Sequence, residues 1–398
     1  MIIENRYFLI VAPIIGMLFN ITVTRCNGQS SQSWGVKIAY TRVVAANKDD
    51  IDWYSDRDIF MQELPQGEPV RLTDWANHPQ LALYLGSPQW SPDGNYILFK
   101  GSSKSYKVSW PPNVRPSYPW IVDVRTKKLK LIGNTKDKWY MNVAWLPDQK
   151  EIVTGIVLGK KPHFSYNTDS QTETVVSGGK MRFVKIDIKT GREKIIRRDY
   201  YPDRLLILPY AQKQILYDWD SDRFVLLDLD SGRQRMLMKS ISYNLIAISP
   251  DGKRFAWYYK GILKVCNIWT GKVKMLYNAR DVYDRGYRLI WSPDSKWIVL
   301  RHSVTDITSI DPPVASSTSY LTLVDASSGK NRLLLEDSRD VPIGWTRDSR
   351  NILLKHEENT EGVFPNDSKT VLIAFPISSK EKPSSIEIIG YLSEIAVH

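Results

Sequence analysis

Five stretches of this chain are variants of one phrase: an apolar residue or Trp, a Ser-Pro-Asp turn, then an apolar run. Gln89-Trp90-Ser91-Pro92-Asp93-Gly94 leads into Tyr96-Ile97-Leu98-Phe99, and Ala144-Trp145-Leu146-Pro147-Asp148 into Ile152-Val153. Ile248-Ser249-Pro250-Asp251-Gly252 leads into Phe255-Ala256-Trp257, and Ile290-Trp291-Ser292-Pro293-Asp294 into Trp297-Ile298-Val299-Leu300. The most divergent copy, Gly344-Trp345-Thr346-Arg347-Asp348, still leads into Ile352-Leu353-Leu354. The aspartates recur every roughly 40 to 55 residues, with one gap near twice that, which is the period of a four-stranded unit repeated around a ring.

The phrase has a mechanical reading. Pro fixes φ early in a tight turn, the Asp side chain caps the next backbone N–H, and Gly takes the left-handed position. Aromatic and β-branched residues on either side then make two antiparallel strands. A second phrase answers it within each repeat, as in Val184-Lys185-Ile186-Asp187 with Thr190-Gly191, Leu226-Leu227-Asp228 with Ser231-Gly232, and Thr322-Leu323-Val324-Asp325 with Ser328-Gly329. That is another hairpin, so each unit supplies four strands, A to D.

The units number about seven, and six remain open if one repeat is miscounted. The first (Val36 to Tyr40, then Asp58 to Met61) has no strand A before it, while Tyr391 to Val397 is surplus after the seventh. Pairing that surplus strand with the first unit closes the ring and protects its edges. The expected fold is therefore all-β: a propeller of four-stranded antiparallel blades over residues 34–398, closed by pairing of the amino- and carboxy-terminal strands. No long periodic helical segment competes.

These residues resemble the TolB-like, WD-type β-propeller repeat, whose hallmark is the W-S-P-D-G hairpin followed by an apolar strand. The resemblance covers roughly residues 34 to 397. It implies fold more than function, because the family includes scaffolds, transport-associated proteins, lyases and the substrate-gating halves of peptidases.

The amino terminus reads separately. Tyr7 to Val23 is mostly apolar and flanked by Arg6 and Arg25, which suits a signal peptide over residues 1–28, cut after Gly28. A retained membrane anchor at residues 7–23 and a lipoprotein modified at Cys26 are the alternatives. The expected location is exported: periplasmic or extracellular. With the leader removed Cys266 stands alone, so no intrachain disulfide forms, and its apolar strand marks it as a small buried hydrophobe.

The chain carries 54 Lys and Arg against 43 Asp and Glu, a formal net charge of +11. A basic exterior suits a protein partner or an anionic envelope polymer, and suits mere solubility equally. The basic residues are scattered, so nucleic acid is not an expected partner. A monomeric ring is expected.

Strand direction places the binding surface. A–B and C–D turns share one face and are short; B–C and D–A connections share the other and are long, as at Gly101 to Pro119, Gly159 to Lys180, Ser303 to Ser319 and Ala279 to Arg288. Long loops on a rigid scaffold are where binding sits. One loop carries Tyr106, Lys107, Trp110, Arg115 and Tyr118; another carries Tyr283, Arg285 and Tyr287. Aromatics among arginines stack on sugars or grip peptides, and equally pack on their own blades. A further column falls seven residues after each turn aspartate, where strand B is expected to leave the sheet: Lys100, Gly155, Tyr258, Arg301 and Lys355. His302 and His356 follow the last two as neighbours on adjacent blades.

That histidine pair alone resembles chemistry. Oligogalacturonate lyases use similar repeats with a metal held by several histidines, but no third ligand matches here. No G-x-S-x-G elbow, H-E-x-x-H helix or phosphate loop is present. The turn aspartates are accounted for as caps. The leading expectation is a non-catalytic, exported propeller that binds through its elaborated face, with no catalytic residues, metal or cofactor. A metal-dependent lyase or hydrolase acting on anionic oligosaccharides, and a substrate-gating propeller for a separate hydrolase, are the alternatives.

Overall fold

A computed structural model describes residues 34–398 except 45–56, 75–87, 103–116, 134–137, 141–142, 159–162, 168–171, 178–179, 199–203, 208–212, 219–222, 240–244, 280–284, 308–314, 358–368, 379 and 390–391. The leader, residues 1–28, lies outside this set. So do Tyr106, Lys107, Trp110, Arg115 and Tyr283.

The chain folds into a β-propeller. Six sheets have four antiparallel strands, and a further sheet has five. Blade 1 consists of Leu392–Val397, Val36–Val43, Arg57–Leu64 and Val70–Arg71. Blade 2 runs Gln89–Trp90, Tyr96–Ser102, Ser117–Asp123, Leu129–Leu131. In blade 3 the first strand is broken, because Lys138–Tyr140 and Ala144–Trp145 both pair with Glu151–Leu158; Lys180–Asp187 and Glu193–Arg198 complete it. Blade 4 is Arg204–Ile207, Lys213–Asp218, Arg223–Asp228, Gln234–Lys239, and blade 5 is Leu245–Ile248, Arg254–Tyr259, Ile262–Asn267, Val273–Asn278. Blade 6 is Arg285–Trp291, Trp297–Ile307, Ala315–Asp325, Asn331–Glu336, and blade 7 is Val341–Trp345, Asn351–Glu357, Lys369–Pro376, Ser384–Ile389.

The apolar runs after each turn are continuous because both faces of a blade are buried. Successive strand side chains point to opposite faces. Thus Ile97 and Phe99 join Ala39 and Ile59 of blade 1, while Leu98 between them joins Ile152 and Val184 of blade 3. Seven hydrophobic clusters each join two adjacent blades, including one between blades 7 and 1 that holds Leu353 and Leu372 against Ile38, Tyr40 and Leu392. Each fully buried Leu, Ile or Phe contributes about 1.5–3 kcal/mol.

The expected closure is present. Leu392–Val397 pairs antiparallel with Val36–Val43, with Ile38 opposite Val397 and Tyr40 opposite Ile395. Val397 also packs on Gly344 of blade 7, where an added Cβ would lie 2.7 Å from its side chain.

The turn phrases fold as their chemistry dictates. Gly94 N donates to Ser91 O at 2.9 Å and Gly252 N to Ser249 O at 2.8 Å, closing the tight turns. The aspartate cap reaches one residue further than the sequence suggests: Asp93 Oδ1 accepts from Asn95 N at 3.0 Å, and Asp251 Oδ1 from Lys253 N at 3.0 Å. In the C–D turns the acid ending strand C caps two amides, as Asp123 does for Arg125 and Thr126.

Polar links run between neighbours as well. The indole Nε1 of Trp90, Trp145 and Trp291 donates to the strand-A carbonyls of Ala396, Gln89 and Ala247 in the preceding blades, at 3.3, 3.2 and 3.2 Å. A strand-D base reaches the next blade's C–D turn: Lys130 Nζ donates to Lys189 O at 2.7 Å and Arg235 Nη2 to Ile268 O at 2.9 Å. Lys274 and Arg332 likewise donate to Ser327 O and Ile377 O. Part of the basic excess is thus spent on turn carbonyls inside the ring's own seams.

Candidate functional site

The two faces differ in build. On the A–B and C–D side the described turns are short, and their polar groups are capped by their own aspartates and by side chains of neighbouring blades. On the opposite side blade 6 projects: its strands B and C are 11 residues each, paired continuously from Trp297 opposite Asp325 to Ile307 opposite Ala315. The connection between strands B and C of blade 3 carries its own two-stranded sheet, His163–Asn167 with Thr172–Ser177. Segments read from sequence as irregular loops, Ser303 to Ser319 and Gly159 to Lys180, are therefore largely β-hairpin. β-Branched residues such as Val304, Thr305, Thr318 and Val175 favour that state.

Several expected loop residues lie within strands instead. Tyr118 is in strand C of blade 2, opposite Gly101, and its ring meets Tyr140 of blade 3 at 6.3 Å. Tyr140 OH in turn donates to Glu193 Oε1 at 3.0 Å, and Lys138 pairs with the same carboxylate at 2.7 Å. Arg285 and Tyr287 belong to strand A of blade 6. Tyr287 is exposed, accepts from Ser303 Oγ at 3.2 Å, and lies under the Arg301 guanidinium at 5.4 Å. The structure thus brings Tyr287 and Arg301 together across blade 6, in an open cation–π pair.

The column seven residues after each turn aspartate does not mark strand ends leaving for solvent. In blade 6 strand B continues five residues past His302, to Ile307. His302 is 2% exposed, and its ring lies among Tyr258 at 5.8 Å, Tyr277 at 5.7 Å and Tyr320 at 5.5 Å. Its Nε2 sits 3.4 Å from Thr322 Oγ1. Two tyrosines come from blade 5 and one from the facing strand, so extension of the hairpin and the neighbouring blade bury a histidine that the pattern puts near water. Tyr320 was legible in principle, since it pairs directly with His302.

Lys355 is also buried rather than presented, and its Nζ donates to Leu392 O at 2.6 Å in the closing strand. His356, one residue on, is half-exposed, and its Nδ1 lies 2.6 Å from Asp340 Oδ1. Neither a shared partner nor a facing carboxylate links the two histidines among the described contacts. No group of three or more His, Cys, Asp or Glu able to hold a metal occurs among the described residues.

Other polar groups are engaged structurally. Asp58, fully buried at the start of strand C in blade 1, accepts from Arg71 Nε at 2.8 Å and Thr73 Oγ1 at 2.6 Å. Thr73 Oγ1 accepts from Ile59 N at 2.9 Å. Lys185 pairs with Glu151 at 2.9 Å and with Asp230 of blade 4 at 3.0 Å; burial opposes its charge, but the two carboxylates hold its pKa above the usual lysine value. Burial pushes the Cys266 thiol up to about 11, against a weak opposing effect of Arg235, so it is not a thiolate at neutral pH. Burial likewise pushes Tyr40 up to about 12, with Arg42 opposing.

No family model matches the sequence, and no curated protein matches it. Solved structures do resemble the fold. Prolyl endopeptidases superpose with a TM-score of 0.57 at 11% identity, covering 90% of this chain and 51% of theirs. The chain therefore spans about half the length of those enzymes. Oligogalacturonate lyase from Vibrio parahaemolyticus superposes at 0.52 and 15% identity, covering 75% of this chain and 80% of its own. TolB from Acinetobacter baumannii superposes less well, at 0.47 and 14% identity, covering 92% and 67%. At these identities the likeness is one of fold: the chain is a β-propeller in architecture. No helix among the described residues is long and apolar enough to cross a membrane.

Proposed function

We propose that this protein is an exported, non-catalytic propeller that captures a protein partner or an envelope polymer on the face bearing its B–C and D–A connections. One observation supports this reading: among the described residues, the large elaboration lies on that face, in the 11-residue strands of blade 6 and the extra hairpin of blade 3. On the opposite face the described turns are short, and their polar groups are largely taken by their own aspartates and by side chains of neighbouring blades. Tyr287 and Arg301 supply an open aromatic and cationic contact. In sequence, Tyr106, Lys107, Trp110 and Arg115 fall in the B–C connection of blade 2, and Tyr283 in the connection that precedes blade 6.

Removal of residues 106–115, which stops short of strand C of blade 2, should abolish capture of partners from an envelope extract and leave the melting temperature nearly unchanged. Equal capture by the deleted chain would overturn the assignment of the face. Stoichiometric manganese or calcium in the purified protein, with cleavage of uronate oligosaccharides, would replace this reading by the lyase alternative. His302 and His356 as placed, one among tyrosines and one against Asp340, weigh against that alternative.

A further inference from the structure

Both kinds of turn on the A–B and C–D face place a base at a fixed position. Two residues after the A–B turn aspartate stand Lys150, Lys253, Lys296 and Arg350, in blades 3, 5, 6 and 7. Each gives its backbone N–H to that aspartate, as Lys150 does to Asp148 Oδ1 and Arg350 to Asp348 Oδ1, both at 3.0 Å. Directly after the C–D turn glycine stand Arg192, Arg233, Lys272 and Lys330, in blades 3 to 6. Their carbonyls accept the amides of Asp187, Asp228, Asn267 and Asp325, which end strand C, at 3.0, 2.9, 2.9 and 2.8 Å. The backbone of all eight is thus tied into a turn, and all eight residues are exposed. Lys296 and Arg350 lie 3.8 Å from their own capping aspartates, pairs that water leaves weak. The other six have no side-chain partner among the described residues. These bases stand a blade apart in sequence, and the ring gathers them onto one face.

We infer that this face docks on an anionic lipid surface, with the C–D turn of blade 5 at the centre of the contact. In that turn Asn267 stands where blades 3, 4 and 6 carry aspartate, so Lys272 has no acid within its own turn. Trp269 and Val273 adjoin it at 47% and 42% exposure. A base without a local acid, set between an indole and an aliphatic side chain, matches the boundary between headgroups and acyl chains, where tryptophan is enriched. Basic side chains around it are drawn to anionic headgroups. Shape favours a plane over a strand. A rod-like polyanion laid across the ring meets few of the eight bases at once, whereas a flat surface meets most of them. None of the described turns on this side is long enough to wall off a groove for a single chain. Docked in this way, the propeller turns its elaborated face away from the lipid, so the two surfaces work independently.

The test is co-sedimentation with vesicles of equal parts phosphatidylcholine and phosphatidylglycerol. It uses a chain beginning at Gln29, which keeps every strand from Val36 to Val397. Binding that weakens with salt is expected, with none to phosphatidylcholine alone. Lys253→Glu, Lys272→Glu and Lys296→Glu combined should weaken it by at least about tenfold, with an unchanged melting temperature. The matched reversal on the other side, Lys239→Glu, Lys260→Glu and Lys369→Glu combined, should leave it as it was. Brominated phosphatidylglycerol should quench part of the tryptophan emission, and Trp269→Phe should remove most of that quenching. Absence of binding to the anionic vesicles, equal loss in the two triple variants, or quenching indifferent to Trp269→Phe would overturn the inference. Binding of soluble polyglutamate without binding of the vesicles would overturn it in favour of an acidic chain. Deletion of residues 106–115 should leave vesicle binding intact, which separates this surface from the proposed capture face.

Discussion

Ser295 holds a left-handed backbone at φ 60° while its hydroxyl accepts the amide of Asp251 across the seam between blades 5 and 6, at 3.0 Å. Ser349, at φ 62°, does the same for the amide of Asp294 one blade further on, at 3.1 Å. The equivalent positions in blades 2 and 5 are Gly94 and Gly252, which adopt this backbone freely. A serine there accepts strain in exchange for a buried link between turns.

The two effects can be separated at Ser295. Ser295→Ala keeps the strain and leaves the Asp251 amide without its acceptor, so stability should fall by about 1–3 kcal/mol. Ser295→Gly loses the same bond but relieves a left-handed cost of about 1–2 kcal/mol, so it should be nearly neutral. Denaturant unfolding of the two variants decides the matter; a glycine variant as unstable as the alanine one would show that the strain is negligible.

The tryptophans allow a similar comparison. Trp291 donates to Ala247 O, whereas the buried Nε1 of Trp345 has no hydrogen-bond partner among the described residues. Trp291→Phe strands a carbonyl at the blade seam and should cost about 1–2 kcal/mol beyond the lost packing. Trp345→Phe removes an unsatisfied donor and should cost less. Truncation of either to Ala should cost about 3–5 kcal/mol. Equal melting temperatures for the two Phe variants would refute the role given to the indole bond.

Much of this ring is legible in the chain itself, because its information is local. Pro92, Asp93 and Gly94 specify a turn without help from the rest of the fold, and five such turns fix period and blade number closely. The closing strand is legible by subtraction, as Val36–Val43 lacks a partner before it and Leu392–Val397 has none after. The site is far less so. His302 sits in a polar stretch whose alternation suggests solvent, and its burial depends on Tyr258 and Tyr277 arriving from another blade. Tyr118 and Arg285 look like loop residues because Pro119 and Gly286 adjoin them. Register against Gly101 and Ser303 makes them strand, and register is a property of two segments at once.

Acid should loosen the C–D turns. A hydrogen bond from the Thr126 amide holds the Asp123 carboxyl below the usual range, and the Thr190 amide does so for Asp187. The Ser328 amide, with the Ser327 hydroxyl, holds Asp325 lower still. A carboxyl depressed in the folded state binds its proton more weakly there than in the unfolded chain. Its stabilisation is therefore complete above about pH 4 and drains away as pH falls further, through the folded values. Blade 5 contains the uncharged version, Asn267, whose Oδ1 accepts from Trp269 N and Thr270 N at 3.0 and 2.9 Å. Asp325→Asn should accordingly melt near the parent at neutral pH and lose less stability between pH 4 and pH 2. Thermal melts across that range test it, and an unchanged acid slope would count against the assignment.

The strongest dependence should be on the closing strand. A chain ending at Ile389 lacks Leu392–Val397, which leaves the edge of Val36–Val43 open for all eight of its residues. Trp90 Nε1 then loses Ala396 O, and the buried ammonium of Lys355 loses Leu392 O. Hydrogen bonds to charged groups contribute about 1.5–3 kcal/mol each, so the second loss alone is substantial. The apolar contacts of Val397 with Gly344 and of Leu392 with the blade 7–blade 1 cluster go as well. An unpaired strand flanked by exposed apolar surface pairs with whatever it meets. The shortened chain should therefore lose its cooperative melt and elute as oligomers, and a peptide of residues 390–398 added in trans should restore both. A truncated chain that stays monomeric and melts like the parent would mean that the blade 7–blade 1 seam holds without its shared strand.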